Sequence, residues 1–359
     1  MKPQYFHPET TPEGATRFRC DVCPRACLLT SGQRGFCYVR KAGDDGVALD
    51  TFGRSSGFCI DPIEKKPLNH FLPGSSVLSF GTAGCNLGCR FCQNWDISKA
   101  RNDDTLQDDA TPEAIAAAAV KANAASVAFT YNDPTIFLEY AIETAKACHA
   151  RGIKSVAVTN GYIHGDARVD LFDHMDAANI DLKAFTERFY KDVCLAHLEP
   201  VKETLRYVAQ QKRTWLEITT LLIPGENDGD DEIRALAEFI ATDLGPDVPL
   251  HFSAFHPDFQ MEHIGPTPIE TLRRARRLAK EVGLHHVYVG NVTDPDNEST
   301  HCASCDALLI GRDRYEITSW HIDGDRCATC GTTVPGVFAG PPGTWGRRRQ
   351  RLHIVGADG

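Results

Sequence analysis

The sequence predicts an α/β fold: a partial (β/α)6-type parallel barrel, TIM-like, with small cysteine-rich metal-binding modules at its N- and C-terminal ends. Three observations carry that expectation. Short β-branched runs alternate with helical patterns through the middle of the chain, which is how a parallel sheet of βα units is written. Those runs are apolar at successive positions, as strands covered on both faces must be. Cysteines cluster once before this zone, once inside it and once after it.

Taken in order, residues 1–75 read as a segment with a cysteine knuckle, "CDVCPRACLLTSGQRGFC", followed by an irregular Gly/Pro-rich stretch. Residues 76–293 read as the barrel. Its strands are expected at 76–81, 126–130, 154–160, 178–184, 215–223, 250–255 and 286–290. Helices fall between them. Thr111 and Pro112 open one in "TPEAIAAAAVKANA", while Gly152 and Gly283 close two others. After the turn-rich "TDPDNEST", residues 294–340 read as a zinc-ribbon or rubredoxin-like module, and 341–359 as a flexible tail.

Composition narrows the function classes. With 42% hydrophobic and 24% charged residues the chain is neither disordered nor fibrous. No apolar run approaches the roughly 18 residues of a membrane helix, and the first residues lack a secretory h-region, so a cytoplasmic protein is expected. The net charge of -10 disfavours nucleic acid, and "RRRQR" (347–351) reads as a solvated basic tail. Fourteen cysteines in a chain large enough to need no staples point to metal.

The central cluster is "GCNLGCRFCQNW", with Cys85, Cys89 and Cys92 spaced C-x3-C-x2-C on the loop after the first barrel strand. Ligands in such sheets bind beyond the carboxyl ends of the strands. Three thiolates on a 4Fe-4S cube leave one iron open for a substrate or cofactor. Gly84 and Gly88 would let the loop wrap a bulky group. A zinc knuckle borrowing a histidine is the competing reading, and no second knuckle lies nearby to support it.

Cys302, Cys305, Cys327 and Cys330 give C-x2-C-x21-C-x2-C, the spacing of a tetrahedral site, with zinc favoured over iron. Cys20, Cys23, Cys27 and Cys37 suit one compact metal site; structural zinc leads there and a second iron-sulfur cluster is its rival. Cys148 and Cys194 read as core residues, and His70, His256, His285 and His286 as ordinary packed or surface histidines.

The triplet with Phe91 before its last cysteine resembles the radical S-adenosylmethionine (SAM) superfamily. The ordered segments "IEKKPLNHFLPG", "GCNLGCRFCQNWDIS", "FTYNDPTIFLEY", "VTNGYI", "DLKAF", "LLIPGENDGDDEI", "HFSAFHPDF" and "YVGN" further resemble the radical enzymes of the AmmeMemoRadiSam system, relatives of the pyruvate formate-lyase activating enzymes. The resemblance implies an oxidoreductase that splits SAM reductively to a 5'-deoxyadenosyl radical, which takes hydrogen from a substrate that is a protein in the activating enzymes. It implies a 4Fe-4S cluster on Cys85, Cys89 and Cys92, and SAM contacts from Phe91, Asn132, Asp133, Asn160, Asp181, Lys183, Thr220 and His251. The glycines that usually precede the amine-binding acid are absent before Asn132 and Asp133. An electron donor such as flavodoxin or ferredoxin is implied, as are Memo-like and AMMECR-like partners. The competing class is a scaffold that holds protein or nucleic acid on its metal knuckles.

Overall fold

A computed structural model describes residues 2–354 except 13 and 103. Its centre is one nine-stranded sheet. In chain order the strands are β1 (Phe58–Pro62), β2 (Ser76–Phe80), β3 (Ser126–Phe129), β4 (Lys154–Thr159), β5 (Ala177–Asp181), β6 (Trp215–Leu222), β7 (Leu250–Ala254), β8 (Val287–Gly290) and β9 (Gln350–Leu352). Pairing runs β8-β7-β6-β5-β4-β3-β2-β1-β9. The seven strands from β2 to β8 are all parallel; six lie within the stretches expected from the sequence, and β5 begins at Ala177, one residue before its expected 178–184. Every residue of β2 and β3 is buried, which explains their unbroken apolar runs.

Helices return the chain between these strands: α1 (Pro112–Lys121), α2 (Leu138–His149), α3 (Gly165–Phe172), α4 (Leu198–Gln211), α5 (Asp230–Phe239) and α6 (Ile269–Val282). Local chemistry sets their ends. Thr111 accepts a hydrogen bond from the Ala114 amide at 3.2 Å ahead of Pro112, and Gly283 closes α6 in the left-handed region. No helix among the described residues is long and apolar enough to cross a membrane.

The sheet is open, with β8 and β9 at its edges, and the two flanking modules pack around it. Segment 64–74 plugs the barrel floor. There the Glu217 carboxylate, fully buried on β6, accepts hydrogen bonds from the Asn69 and His70 amides (2.9 and 2.8 Å) and from Trp215 Nε1 (2.9 Å), and it pairs with His251 Nε2 (2.6 Å). Burial pushes this carboxyl up, but the His251 hydrogen bond and charge outweigh burial and hold it below the ordinary range.

The C-terminal module is a three-stranded antiparallel sheet (Thr300–His301, Leu308–Asp313, Glu316–Trp320) over a small core of Leu309, Ile310, Ile322 and Val334. Backbone bonds between His70, Leu72 and Val337 fasten it to the plug. Residues 341–352, expected as a tail, lie against the barrel: Gly343 and Trp345 donate to the carbonyls of Pro73 and Gly74, and β9 pairs antiparallel with β1. The basic cluster is accordingly engaged, since Arg347 pairs with Asp313 and Arg349 stands 3.8 Å from Asp61.

Two glycines of the cysteine loop are required for close approach. Gly84 has φ +79°, and a Cβ there would lie 1.9 Å from the Cys37 carbonyl oxygen. A Cβ at Gly88 would lie 2.5 Å from the Leu195 side chain. The loop is thus clamped between the N-terminal module and residues 193–195. Replacing Gly84 by Ala should cost about 2 to 4 kcal/mol, through left-handed strain added to a backbone clash. A urea titration of the purified variant checks this; an unchanged midpoint would show that the modules separate freely.

Candidate functional site

A cavity of about 710 Å³ opens at the carboxyl ends of the parallel strands. Cys85, Cys89 and Cys92 all face it from the loop after β2. Two backbone bonds hold that loop, from Gly88 N to the Cys194 carbonyl (2.8 Å) and from Arg90 N to the Val193 carbonyl (3.0 Å). Cys194, expected as a plain core residue, is buried beside Cys89. The neighbouring Cys194 thiol, followed by the charges of Lys183 and Lys99 acting against burial, pulls the Cys89 thiol below its ordinary range. Burial instead pushes the Cys85 thiol far up.

Lys183, just past β5, is the cation nearest in character to a ligand hook. Its Nζ is 2.9 Å from Asp181 Oδ2 and 5.7 Å from the centre of the Phe91 ring. Burial opposes its charge, yet Asp181 and the neighbouring thiols keep the ammonium protonated well above the ordinary lysine range. Phe91, Asp181 and Lys183 all line the cavity beside the cysteines.

Other residues singled out from the sequence serve the walls. Asn132 lines the cavity, but its amide is used: Nδ2 donates to the carbonyls of Thr82 and Gly84 (both 2.8 Å), fixing the start of the cysteine loop. Asn160 also lines it, while donating to Asn86 Oδ1 (2.9 Å) and accepting from the Tyr162 amide (2.8 Å). Asp133 lies behind the wall, fully buried, accepting from Thr135 N, Thr159 Oγ1 and Asn160 N. Thr220 points outward and donates to the Leu182 carbonyl (2.8 Å), whereas Thr219 faces the cavity, as the period-two alternation of a strand dictates. His251 lines the cavity with its ring stacked on Tyr288 (5.1 Å) and tied to Glu217.

Sequence reasoning missed a cationic part of the same wall. Lys65, Lys66, Arg312, Arg314 and Arg349 line it, with Glu64 and Glu298 as the acids among them. Asp61, fully buried, gathers Lys66 (2.8 Å), Lys65 (3.3 Å) and the Tyr131 hydroxyl (2.8 Å). Tyr131 is itself strained at φ +70° between two groups of this wall. Burial lowers Lys66 to about 8 and raises Glu64 to about 7. Glu64 and Lys66 fall in "IEKKPLNHFLPG", a segment whose lack of period gave no sign that it would face a cavity.

The outer cysteines behave differently from one another. In the C-terminal quartet Cys302 and Cys330 Sγ are 3.6 Å apart, and Cys305 and Cys327 Sγ 3.8 Å. Four sulfurs about 2.3 Å from one tetrahedral ion stand about 3.8 Å apart, so this quartet is shaped for a single metal. Among the described residues it is the one group of three or more His, Cys, Asp or Glu whose ligand atoms all lie within 4.8 Å. The central triplet is wider than that. Three spaced thiols beside a large cavity fit a polynuclear cluster with room for a small molecule next to it.

Residues 80–240 match the family model of the radical SAM superfamily. The chain is 41% identical over 320 residues to an uncharacterized protein of Methanocaldococcus jannaschii, covering 89% of this chain and 95% of that one. It is 27% identical over 124 residues to the 4-hydroxyphenylacetate decarboxylase activating enzyme of Clostridium scatologenes, covering 32% and 37% of the two chains. Among solved structures, a domain of the pyruvate-formate lyase-activating enzyme from Bacteroides vulgatus aligns with a TM-score of 0.41 at 20% identity, over 46% of this chain and 99% of that one. A radical SAM methyltransferase from Sphaerobacter thermophilus aligns with 0.47 at 15%, over 85% and 81%.

Proposed function

The chain belongs to the radical SAM superfamily and is an enzyme related to its activating enzymes, and from that premise we propose that Cys85, Cys89 and Cys92 hold its site-differentiated 4Fe-4S cluster. When bound and reduced, such a cluster splits the SAM sulfonium to methionine and a 5'-deoxyadenosyl radical, which takes a hydrogen atom from the substrate. The observation that carries the assignment is the placement of all three cysteines on one loop facing the 710 Å³ cavity, beside the Lys183–Asp181 pair.

The chain's own residues then divide the work. Lys183 offers a fixed positive charge to the methionyl carboxylate, and Asp181 orients it while accepting from the ammonium. Phe91 forms the apolar side of that pocket. Asn132, Asn160 and Asp133 position the cysteine loop and the loop after β4 by hydrogen bonds, as their saturated partners support. Thr219 and His251 wall the lumen where a nucleoside would lie. The C-terminal quartet holds zinc and keeps its module, and with it Arg312 and Arg314, against the cavity.

The cationic wall supports a substrate that carries acidic groups. In the finer reading that substrate is a protein, as in the activating enzymes, with Memo-like and AMMECR-like proteins as partners and flavodoxin or ferredoxin as electron donor.

The test is anaerobic. Purified enzyme given SAM and dithionite should release 5'-deoxyadenosine. Lys183→Ala should raise the KM for SAM about 10- to 100-fold, the worth of one charge-assisted hydrogen bond, with its iron content unchanged. An unaltered KM would remove Lys183 from the SAM pocket.

A further inference from the structure

The N-terminal cysteines form a second enclosed site. Cys20, Cys23, Cys27 and Cys37 wall a cavity of about 20 Å³ together with Gly35, Arg40 and Asn86. Cys20 and Cys37 are buried, Cys23 and Cys27 half-buried. Gly35 sits beside two of these thiols, since a Cβ there would make ordinary contacts with Cys27 Sγ (3.7 Å) and Cys37 Sγ (3.8 Å). The Phe36 amide donates to Cys27 Sγ at 3.5 Å. Ala26 and Tyr38, each next to a cysteine, are held at φ +46° and +74°, so the turns that present these thiols are strained into place.

One feature separates this quartet from the zinc-shaped one, and a second marks it as a place where a ligand is held. Its sulfurs do not all come within 4.8 Å, although the same chain closes its C-terminal quartet to that span. A single tetrahedral ion demands the tight span, while a polynuclear cluster holds its thiolates farther apart. The second feature is Arg40. Its guanidinium is 2% exposed, pairs with Glu139 through both terminal nitrogens (3.0 and 2.5 Å), and lines the cavity with a buried Nε that has no partner. A buried donor left open costs free energy unless a ligand accepts from it, and cluster sulfide or thiolate sulfur is such an acceptor.

The site also adjoins the triplet. Cys85 faces the large cavity and the next residue, Asn86, faces the small one. The Cys37 carbonyl packs against Gly84, and Arg25 donates to the Asn86 and Leu195 carbonyls. We propose that Cys20, Cys23, Cys27 and Cys37 hold a second iron-sulfur cluster, closed by four thiolates, which passes single electrons to the triplet site. With all four positions filled it has no open iron, so its chemistry is electron transfer. A low-potential one-electron donor protein loses one electron to the quartet. The quartet hands that electron to the triplet and returns to its oxidised state, and no proton or group moves. The relay rests on the radical reading above; the cluster itself does not.

The test uses the full chain with Cys85, Cys89 and Cys92 all changed to Ala, reconstituted anaerobically with iron and sulfide. The expected result is iron and acid-labile sulfide in equal amounts, an EPR signal on reduction, and one zinc per chain. Two zincs without sulfide, or no metal at the quartet, would overturn the cluster. In the otherwise wild-type chain, Cys27→Ser with Cys37→Ser should remove that same iron while leaving dithionite-driven SAM cleavage. Cleavage driven by reduced flavodoxin should fall at least tenfold, and an unchanged rate would overturn the relay. If wild-type protein cleaves no SAM while the triple variant keeps its iron and sulfide, the radical reading fails and the second cluster stands. Should the triple variant not fold, the iron and sulfide lost when Cys27 and Cys37 become Ser in the otherwise wild-type chain decide the point, and no loss of sulfide would overturn the cluster.

Discussion

Cys89→Ala is expected to reduce 5'-deoxyadenosine release to background, a loss of roughly a thousandfold or more, because it removes one of the three thiolates that would hold the cluster in register with its open iron. The one neighbouring thiol outside the triplet that bears on Cys89 is Cys194, buried beside it. Its position makes the double variant informative. If Cys89→Ala keeps part of its cluster and Cys89→Ala with Cys194→Ala keeps none, Cys194 has stepped in as ligand. Iron and sulfide counts on both variants, set beside product formation, check this. SAM cleavage at the wild-type rate in Cys89→Ala would remove the triplet from the chemistry.

The second large effect is on stability. Glu217→Ala should destabilise the fold by about 3 to 5 kcal/mol, since it strips the partner from two buried amides, an indole N–H and a buried histidine at once. A denaturant melt measures it, and a change below 1 kcal/mol would mean that the plug is not anchored there. The effect has a pH signature. The folded carboxyl is held below its ordinary range, so the unfolded chain takes up the proton first as pH falls. The stability that Glu217 contributes is therefore full above the ordinary glutamate pKa of about 4.3 and shrinks as pH drops through the lower folded value. Wild type and Glu217→Ala should converge in acid.

Much of the site could be read from the chain because its signals are local. Cys85, Cys89 and Cys92 sit within eight residues on a loop whose position after a strand follows from the alternation of elements. Lys183 and Asp181 share one strand end, and the structure joins them at 2.9 Å. Polar residues at neighbouring strand ends were harder to sort. Asn132, Asp133 and Asn160 all lie where ligands bind, but hydrogen-bond saturation makes them builders of the wall, and the sequence does not record which partners an amide finds. Thr219 and Thr220 could have been separated, because alternation along β6 puts only one of them inside.

The sequence by itself determined the βα alternation, the parallel strands and the three cysteine groups, because each is set by periodicity or by spacing within a short window. Only tertiary structure decided what closes the cavity. Lys66, Arg312 and Arg349 are far apart in the chain and meet on one wall because β9 pairs with β1 and the C-terminal module docks on the plug. The contrast between the two outer quartets was also decided there. C-x2-C spacing fixes which thiols can meet, whereas the distance between their sulfurs depends on how the rest of each module packs around them.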